Sequence, residues 1–314
     1  MGVVTMPTGS NPPVFLVSPP RLDWTIRGRA NVFAKDVEAP SADAARADWW
    51  AVCTAIEAAG GVCAVVDNES DPSLTGLPYT AEAGVCGVDP DSGDRVFVLP
   101  RLTPPHRRTE PAIIGPAVAR LGLVTVELPE DSAFEGQGDV IKIADRYVCT
   151  AGVGPWARTH FDSLDAVVDV LPGRWLKLAF HADPWFHGNT FLGAWSRGSD
   201  VVVAVCPEAL RDDGAALLSA FVDGARVVPL SKDETLTYAT NALQVNDTVL
   251  APAGVPGHVV DAWRSIGLAV RFLELPALFR KGGGAAVCLT NRLDGVTVDD
   301  VPAEMRVDAW MARQ

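Results

Sequence analysis

Three short stretches of this chain bring nucleophilic, acidic or imidazole side chains close to glycine. The stretch 280–293, RKGGGAAVCLTNRL, sets Cys288 behind a glycine triplet. Backbone amides can approach a thiol in such a turn, lower its pKa and make it a nucleophile. A lone cysteine in an apolar strand is inert by contrast, and the stretch taken alone fits both readings. The stretch 133–143, AFEGQGDVIKI, flanks a Gly-rich turn with Glu135 and Asp139 just before a strand-like run. Glycine lets backbone pass close to a ligand, although Gly-Asp pairs are also common in plain surface turns. The stretch 180–192, FHADPWFHGNTFL, holds His181, Asp183, His187 and Asn189 among aromatics, as a pocket wall would. Within it His181 reads as a satisfied core residue. A metal on His181, Asp183 and His187 lacks further ligands, and no His and Cys share metal-ligand spacing, so no metal is expected.

These stretches have to be positioned by something, and the chain repeats one pattern five times. A helix-like segment ends near a glycine and a short hydrophobic strand follows, as in AIEAAGGVCAVVD (55–67), AVARLGLVTVELP (117–129), VVDVLPGRWLKLAF (167–180), SAFVDGARVVPL (219–230) and AWRSIGLAVRFLEL (262–275). Gly61, Gly122, Gly173, Gly224 and Gly267 are the expected helix terminators, supplying the left-handed residue that ends a helix. Further strands are expected between these units, among them RVFVLP, DVIKI with RYVCTAG, TFLGAW with DVVVAV, TVLAPAG and AAVCLTN. Ser41 is placed to cap a helix on which Trp49, Cys53 and Ile56 share a face. Five dissimilar units of about 50 residues predict a closed, radially repeated α/β array, since closure buries strand edges. Polar residues from inter-strand turns would converge on its central channel.

Composition bounds the remaining possibilities. The 314 residues are 48% hydrophobic and 21% charged, an ordinary globular make-up. A net charge of −13 argues against nucleic acid or an anionic membrane as partner. No apolar run is long enough to span a bilayer. The start, MGVVTMPTGSNPP, lacks the basic and apolar regions of a signal peptide, and its fit to a myristoylation motif is poor. Residues 1–12 are expected to be a disordered leader and 13–314 a single domain. Six cysteines, at 53, 63, 86, 149, 206 and 288, form no CxxC pair and sit mostly in apolar runs, the usage of a reducing cytoplasm.

Taken together, the motifs resemble the superfamily of amidinotransferases, arginine deiminases and dimethylarginine dimethylaminohydrolases, which modify guanidino groups. GGGAAVCLTNRL resembles its nucleophile motif, FEGQGDV its acidic Gly-rich motif and FHGNTFL its His-x-Asp-Thr motif. GLPYTAEAGVC (76–86), PPHRRTE (104–110) and WARTH (156–160) resemble further segments, in the superfamily's order from about residue 14 to 293. The resemblance implies a five-bladed ββαβ α/β propeller, the pentein fold. It implies Cys288 as nucleophile, His187 as general acid and then base, and Glu135 as the group that binds substrate nitrogens and orients His187. His187 is preferred to His181 because HGNT keeps the spacing to Thr. Arg107 or Arg108, with Arg158, would hold a substrate carboxylate. Asn31, Glu82, Asp139 and Asn189 complete the implied substrate-binding set, and no cofactor is implied.

Three positions depart from the superfamily pattern: Tyr79 replaces an Asp, Glu82 an Asn, and Asn189 an acidic residue. Two carboxylates of the usual guanidinium clamp are thus missing and a new one appears. The expected activity is hydrolysis of a C–N bond in a guanidine- or amidine-type small molecule through a covalent Cys288 intermediate. An amidinotransferase is the alternative, and a non-catalytic ligand-binding propeller the second. The expected partner is a small cationic, amino-acid-like substrate, with a homodimer compatible with this reading.

Overall fold

Runs such as VFLV, RVFV and DVVVAV are rich in valine and other strand-forming apolar residues, and in the computed structural model each forms the middle strand of a small sheet. The structure describes residues 11–26, 31, 33–34, 37–68, 71–89, 92–154, 157–171 and 173–313. Residues 1–10 of the expected leader lie outside this set.

Among the described residues there are five sheets, each of three strands. The second comprises Val85–Val88, Arg95–Val98 and Val124–Val126; the third Val140–Ile143, Arg146–Val153 and Arg174–His181. The fourth comprises Leu192–Arg197, Asp200–Val205 and Arg226–Pro229; the fifth Leu243–Val245, Thr248–Pro252 and Ala269–Leu273. In each, the first pair is antiparallel and the second parallel. A parallel pair needs a crossover, and a helix supplies it every time: Pro111–Ala119, Ser163–Val168, Gly214–Phe221 and Gly257–Ser265. The first sheet follows the same rule with one difference. Its strands Val14–Val17 and Val62–Val65 are joined through the helix Ala42–Ala58, but its antiparallel member is Asn291–Arg292, from near the end of the chain, with Leu16 opposite Asn291.

Middle strands covered on both faces have no polar side to show, and Val14–Val17 is buried at every residue. Apolar helix faces pack onto them. Ser41 caps the first helix by accepting from the Ala44 amide, and Trp49, Cys53 and Ile56 are all buried against the first sheet. Four of the expected helix-terminating glycines, Gly122, Gly173, Gly224 and Gly267, do have positive φ; after the first helix Gly60 takes that conformation instead of Gly61.

The strand that opens each unit is preceded by a single helical turn. These turns are Thr80–Ala83, Gly136–Gly138, Gly188–Thr190, Ala239–Asn241 and the segment 285–289. Hydrogen bonds join them in sequence: Gln137 N to Gly84 O (3.2 Å), Gly188 N to Asp139 Oδ1 (2.8 Å), Thr240 Oγ1 to Asn189 O (2.9 Å) and Val287 N to Asn241 O (3.2 Å). Ala81 N donates to Cys288 O (3.1 Å), which brings the series back to its start. Every expected site residue except Asn31 and the arginines lies on or beside one of these five turns.

The run AAVCLTN is a correction to the sequence reading. It is a helical turn rather than a strand, with Leu289 N bonded to Ala285 O (3.1 Å) and Thr290 Oγ1 to Ala286 O (2.9 Å). Only Asn291–Arg292 is extended. Local i to i+4 bonding wins because the two alanines favour helix and the strand partner begins only at Asn291.

Candidate active site

Cys288 lies in the turn 285–289, 2% exposed. Its backbone N–H donates to Asn241 Oδ1 (3.0 Å) and its Sγ accepts from Asn241 Nδ2 (3.0 Å). The thiol also faces Asn189 Oδ1 at 3.9 Å. Burial pushes the thiol up to about 11, against the hydrogen bonds it shares with Asn241, the Ala285 amide and Asn189 and the charge of Arg158.

The glycine triplet ahead of it has a packing reason. A side chain on Gly282 or Gly284 would collide with the Tyr79 ring, and Gly284 Cβ would also come within 3.0 Å of Cys288 Cβ. Gly283 has φ +83°, and a Cβ there would lie 2.7 Å from Asn31 Oδ1. The backbone therefore passes directly against Tyr79 and Asn31. Asn31 holds the loop by donating to Gly282 O (3.1 Å), while its Oδ1 accepts from Phe33 and Ala34 (2.9 Å each).

His187 is fully buried and sits between carboxylates. Nε2 meets Glu135 Oε2 at 2.8 Å, and Nδ1 faces Glu82 Oε1 at 3.4 Å. Gly138 backs the ring, where a Cβ would reach it at 3.1 Å. Glu135 is fixed in turn by Thr103, whose Oγ1 donates to Oε1 at 3.0 Å, and by Arg158, 3.4 Å from Oε2. Burial opposes ionisation of Glu135, but Arg158, His187 and Arg107 outweigh it and hold the carboxyl well below its usual range.

Arg107 is buried with its donors committed. Nε and Nη2 fork onto Glu110 (2.8 Å each), Nη2 reaches Gly76 O (3.0 Å), and Nη1 pairs with Glu82. It is therefore not an open receptor for a substrate carboxylate. Arg108 points elsewhere, into a separate hollow with Arg101, Glu127 and His160. Arg158 does face the site and stacks over Phe186, 5.2 Å from the ring centre. Asp139 does not reach the cavity. It accepts from Thr159 (2.6 Å), Gly188 N (2.8 Å) and Thr150 (2.9 Å), and so ties the His187 turn to the third sheet. His181 is exposed at a strand end and is not in the cavity wall.

A narrow cavity of about 70 Å³ opens over these groups, with Asn31, Tyr79, Glu82, Arg107, Arg158 and Cys288 in its wall. Asn189, whose Oδ1 faces the thiol at 3.9 Å, is not in that wall and lines a separate hollow. The ligand atoms of Glu82, Glu135 and His187 lie within 4.8 Å of one another, close enough to surround a metal ion. Arg107 and Arg158 already balance the two carboxylates.

Comparison with solved structures decides the fold. The N-terminal domain of ArgZ, an arginine dihydrolase of cyanobacteria, superposes with a TM-score of 0.78 at 21% identity, over 90% of this chain and 98% of that domain. A dimethylarginine dimethylaminohydrolase adduct superposes at 0.65 and 17% identity, over 90% and 99%. The chain shares the fold of these two guanidino-modifying enzymes. In sequence it is 25% identical over 252 residues to the bifunctional arginine dihydrolase/ornithine cyclodeaminase ArgZ of Synechocystis, and 27% over 240 residues to AgrE of Nostoc. The chain spans about a third of the length of these relatives, 34% and 32%. No family model matches it. Among the superfamily's solved structures is an ArgZ domain covalently bound to a reaction intermediate.

Sequence reasoning missed Asn241, which makes the closest side-chain contact to the thiol. The signal was the repeat itself: YATNAL stands where the other units place their polar turns. Thr103, Thr150 and Thr159 were also missed, because they lie 32, 11 and 20 residues from the carboxylates they orient, beyond the reach of a local motif.

Proposed function

We propose that this chain is a hydrolase of a C–N bond in an arginine-like guanidine, working through a covalent Cys288 intermediate. One observation carries the reading: a single cavity has Cys288 and Glu82 in its wall, and the His187–Glu135 pair stands immediately behind Glu82. On this reading the five sheets close as the blades of a ββαβ propeller and residues 13–314 form one domain. Six free, buried cysteines suit a cytoplasmic location; among the described residues no helix is long and apolar enough to cross a membrane.

In the empty site the thiol is protonated, since burial disfavours thiolate. A cationic guanidinium entering the cavity stabilises the thiolate, and the thiol proton is given up to solvent as it enters. The sulfur attacks the planar carbon and a C–S bond forms. The C–N bond then breaks, and the departing amine takes a proton from His187. Water, giving a proton back to His187, attacks the thiouronium carbon; the C–S bond breaks and the thiolate is regenerated. Glu135 keeps His187 oriented through both transfers. The substrate's carboxylate is assigned to Arg158, which lines the cavity beside Phe186.

The test is mass spectrometry of intact protein after exposure to L-arginine and its Nω-methylated forms. A mass increase on wild-type protein that Cys288→Ala abolishes supports the proposal. Turnover by Cys288→Ala at the wild-type rate rejects it.

A further inference from the structure

The hollow that Asn189 lines measures about 370 Å³, and no residue lines both it and the catalytic cavity. All five sheets contribute to it. Val85, Val140, Leu192 and Leu243 enter from the opening strands of the second to fifth sheets, and Arg292 from the antiparallel member of the first. The two spaces are neighbours all the same. Asn189 borders the hollow while its Oδ1 faces Cys288 Sγ at 3.9 Å, and Val287 lines the hollow where the next residue, Cys288, lines the cavity. We infer that this hollow is a second ligand site, for a small carboxylate with an apolar body. The inference does not depend on the activity proposed for Cys288.

Volume, lining and charge each contribute to that assignment. The volume lies in the range that holds a small organic molecule, and valine and leucine side chains supply apolar walls. The polar groups left over are donors. Gln137 spends its amide on Asn291 and on the Arg292 backbone, and Gln244 spends its own on Ser196 and Asn246. Arg292 uses only Nε, on Asp294 at 3.0 Å; its two Nη groups and Ser196 Oγ have no partner among the described residues. Among those residues the charged lining is Lys142, Arg292 and Asp294, and Asp294 is shared, taking Lys142 Nζ at 2.7 Å as well. One positive charge is therefore in excess here, on a chain whose net charge is −13. A carboxylate at Arg292 answers both the charge and the idle fork of donors, while an apolar body covers the walls.

Calorimetric titration of the full chain with 4-phenylbutyrate, against its neutral amide, tests the site. The carboxylate is expected to bind with a Kd of about a millimolar or tighter, at least about fivefold more tightly than the amide. Arg292 is 51% exposed at its side chain, so Arg292→Gln is expected to fold as wild type does, which thermal melts check. That variant is expected to bind the carboxylate about fivefold more weakly and the amide unchanged. Arg158→Ala, which alters the catalytic cavity instead, is expected to bind the carboxylate as wild type does. Absence of binding up to about 20 mM, or equal affinity for carboxylate and amide, overturns the inference. Full affinity in folded Arg292→Gln overturns it too, and weakened binding in Arg158→Ala does so by placing the probe in the catalytic cavity.

Discussion

Asn241 and Cys288 grip one another at two points: the Asn241 amide N–H reaches Sγ at 3.0 Å, and its carbonyl takes the Cys288 backbone N–H at 3.0 Å. The side chain therefore fixes the turn and presents a donor to the sulfur at once. Asn241→Ala leaves the Cys288 amide unpaired in the interior and is expected to cost about 1–3 kcal/mol in stability. Denaturant melts of the two proteins check this, and the variant's thiol is expected to be less reactive as well.

The resting thiol is expected to be sluggish. With Cys288 pushed up to about 11, thiolate is roughly a thousandth of the population at pH 8. Alkylation by iodoacetamide should accelerate about tenfold per pH unit across pH 7 to 9. A plateau below pH 8 contradicts the buried environment described here. A cationic ligand that does not cover the sulfur should speed the reaction at fixed pH.

Acid should weaken the fold through Glu135. Its folded-state carboxyl lies below the ordinary value, so its ionised form contributes stability above the unfolded carboxyl range of about 4.3. That contribution is lost as pH falls from there toward the lower folded value. Glu135→Gln is expected to flatten the stability profile on the acid side, as read by thermal melts from pH 7 to 3. Equal slopes for both proteins would remove the Arg158–Glu135–His187 arrangement as their source.

Substrate carboxylate recognition is expected to fall on one arginine. Arg108→Ala should leave KM for L-arginine within about twofold, because its side chain serves another hollow. Arg158→Ala should raise KM for L-arginine, and by less for decarboxylated arginine, which isolates the carboxylate contact from the loss at Glu135.

The loop should tolerate no side chain at Gly284. Gly284→Ala puts a methyl into the Tyr79 ring and against Cys288. Activity is expected to fall by at least about tenfold. Tyr79→Ala in the same protein should restore part of it, measured against Tyr79→Ala alone.

Much of this was legible in the chain because repeated helix-stop glycines and β-branched runs are local signals. They located the five units, the Ser41 cap and the turns bearing Glu135 and His187. The rest depended on distance. AAVCLTN has strand-like composition, yet the partner strand at Val14 meets it only from Asn291. Arg107 looked like a carboxylate receptor until Glu110, three residues on, and Glu82, from the neighbouring turn, were seen to occupy it. Asp139 looked like a ligand contact, but threonines 11 and 20 residues away take its oxygens.

The pairing of Asn291 with Leu16 has a consequence for biosynthesis. A ribosome releases Cys288 just ahead of the segment that completes the first sheet, after the other turns of the site have been made. Glu135, His187 and Asn241 can be in place on a nascent chain with no sulfur among them. On the proposed reading the nucleophile joins only when the segment at Asn291 pairs with Leu16, so a product truncated before residue 288 would carry Glu135, His187 and Asn241 without the thiol.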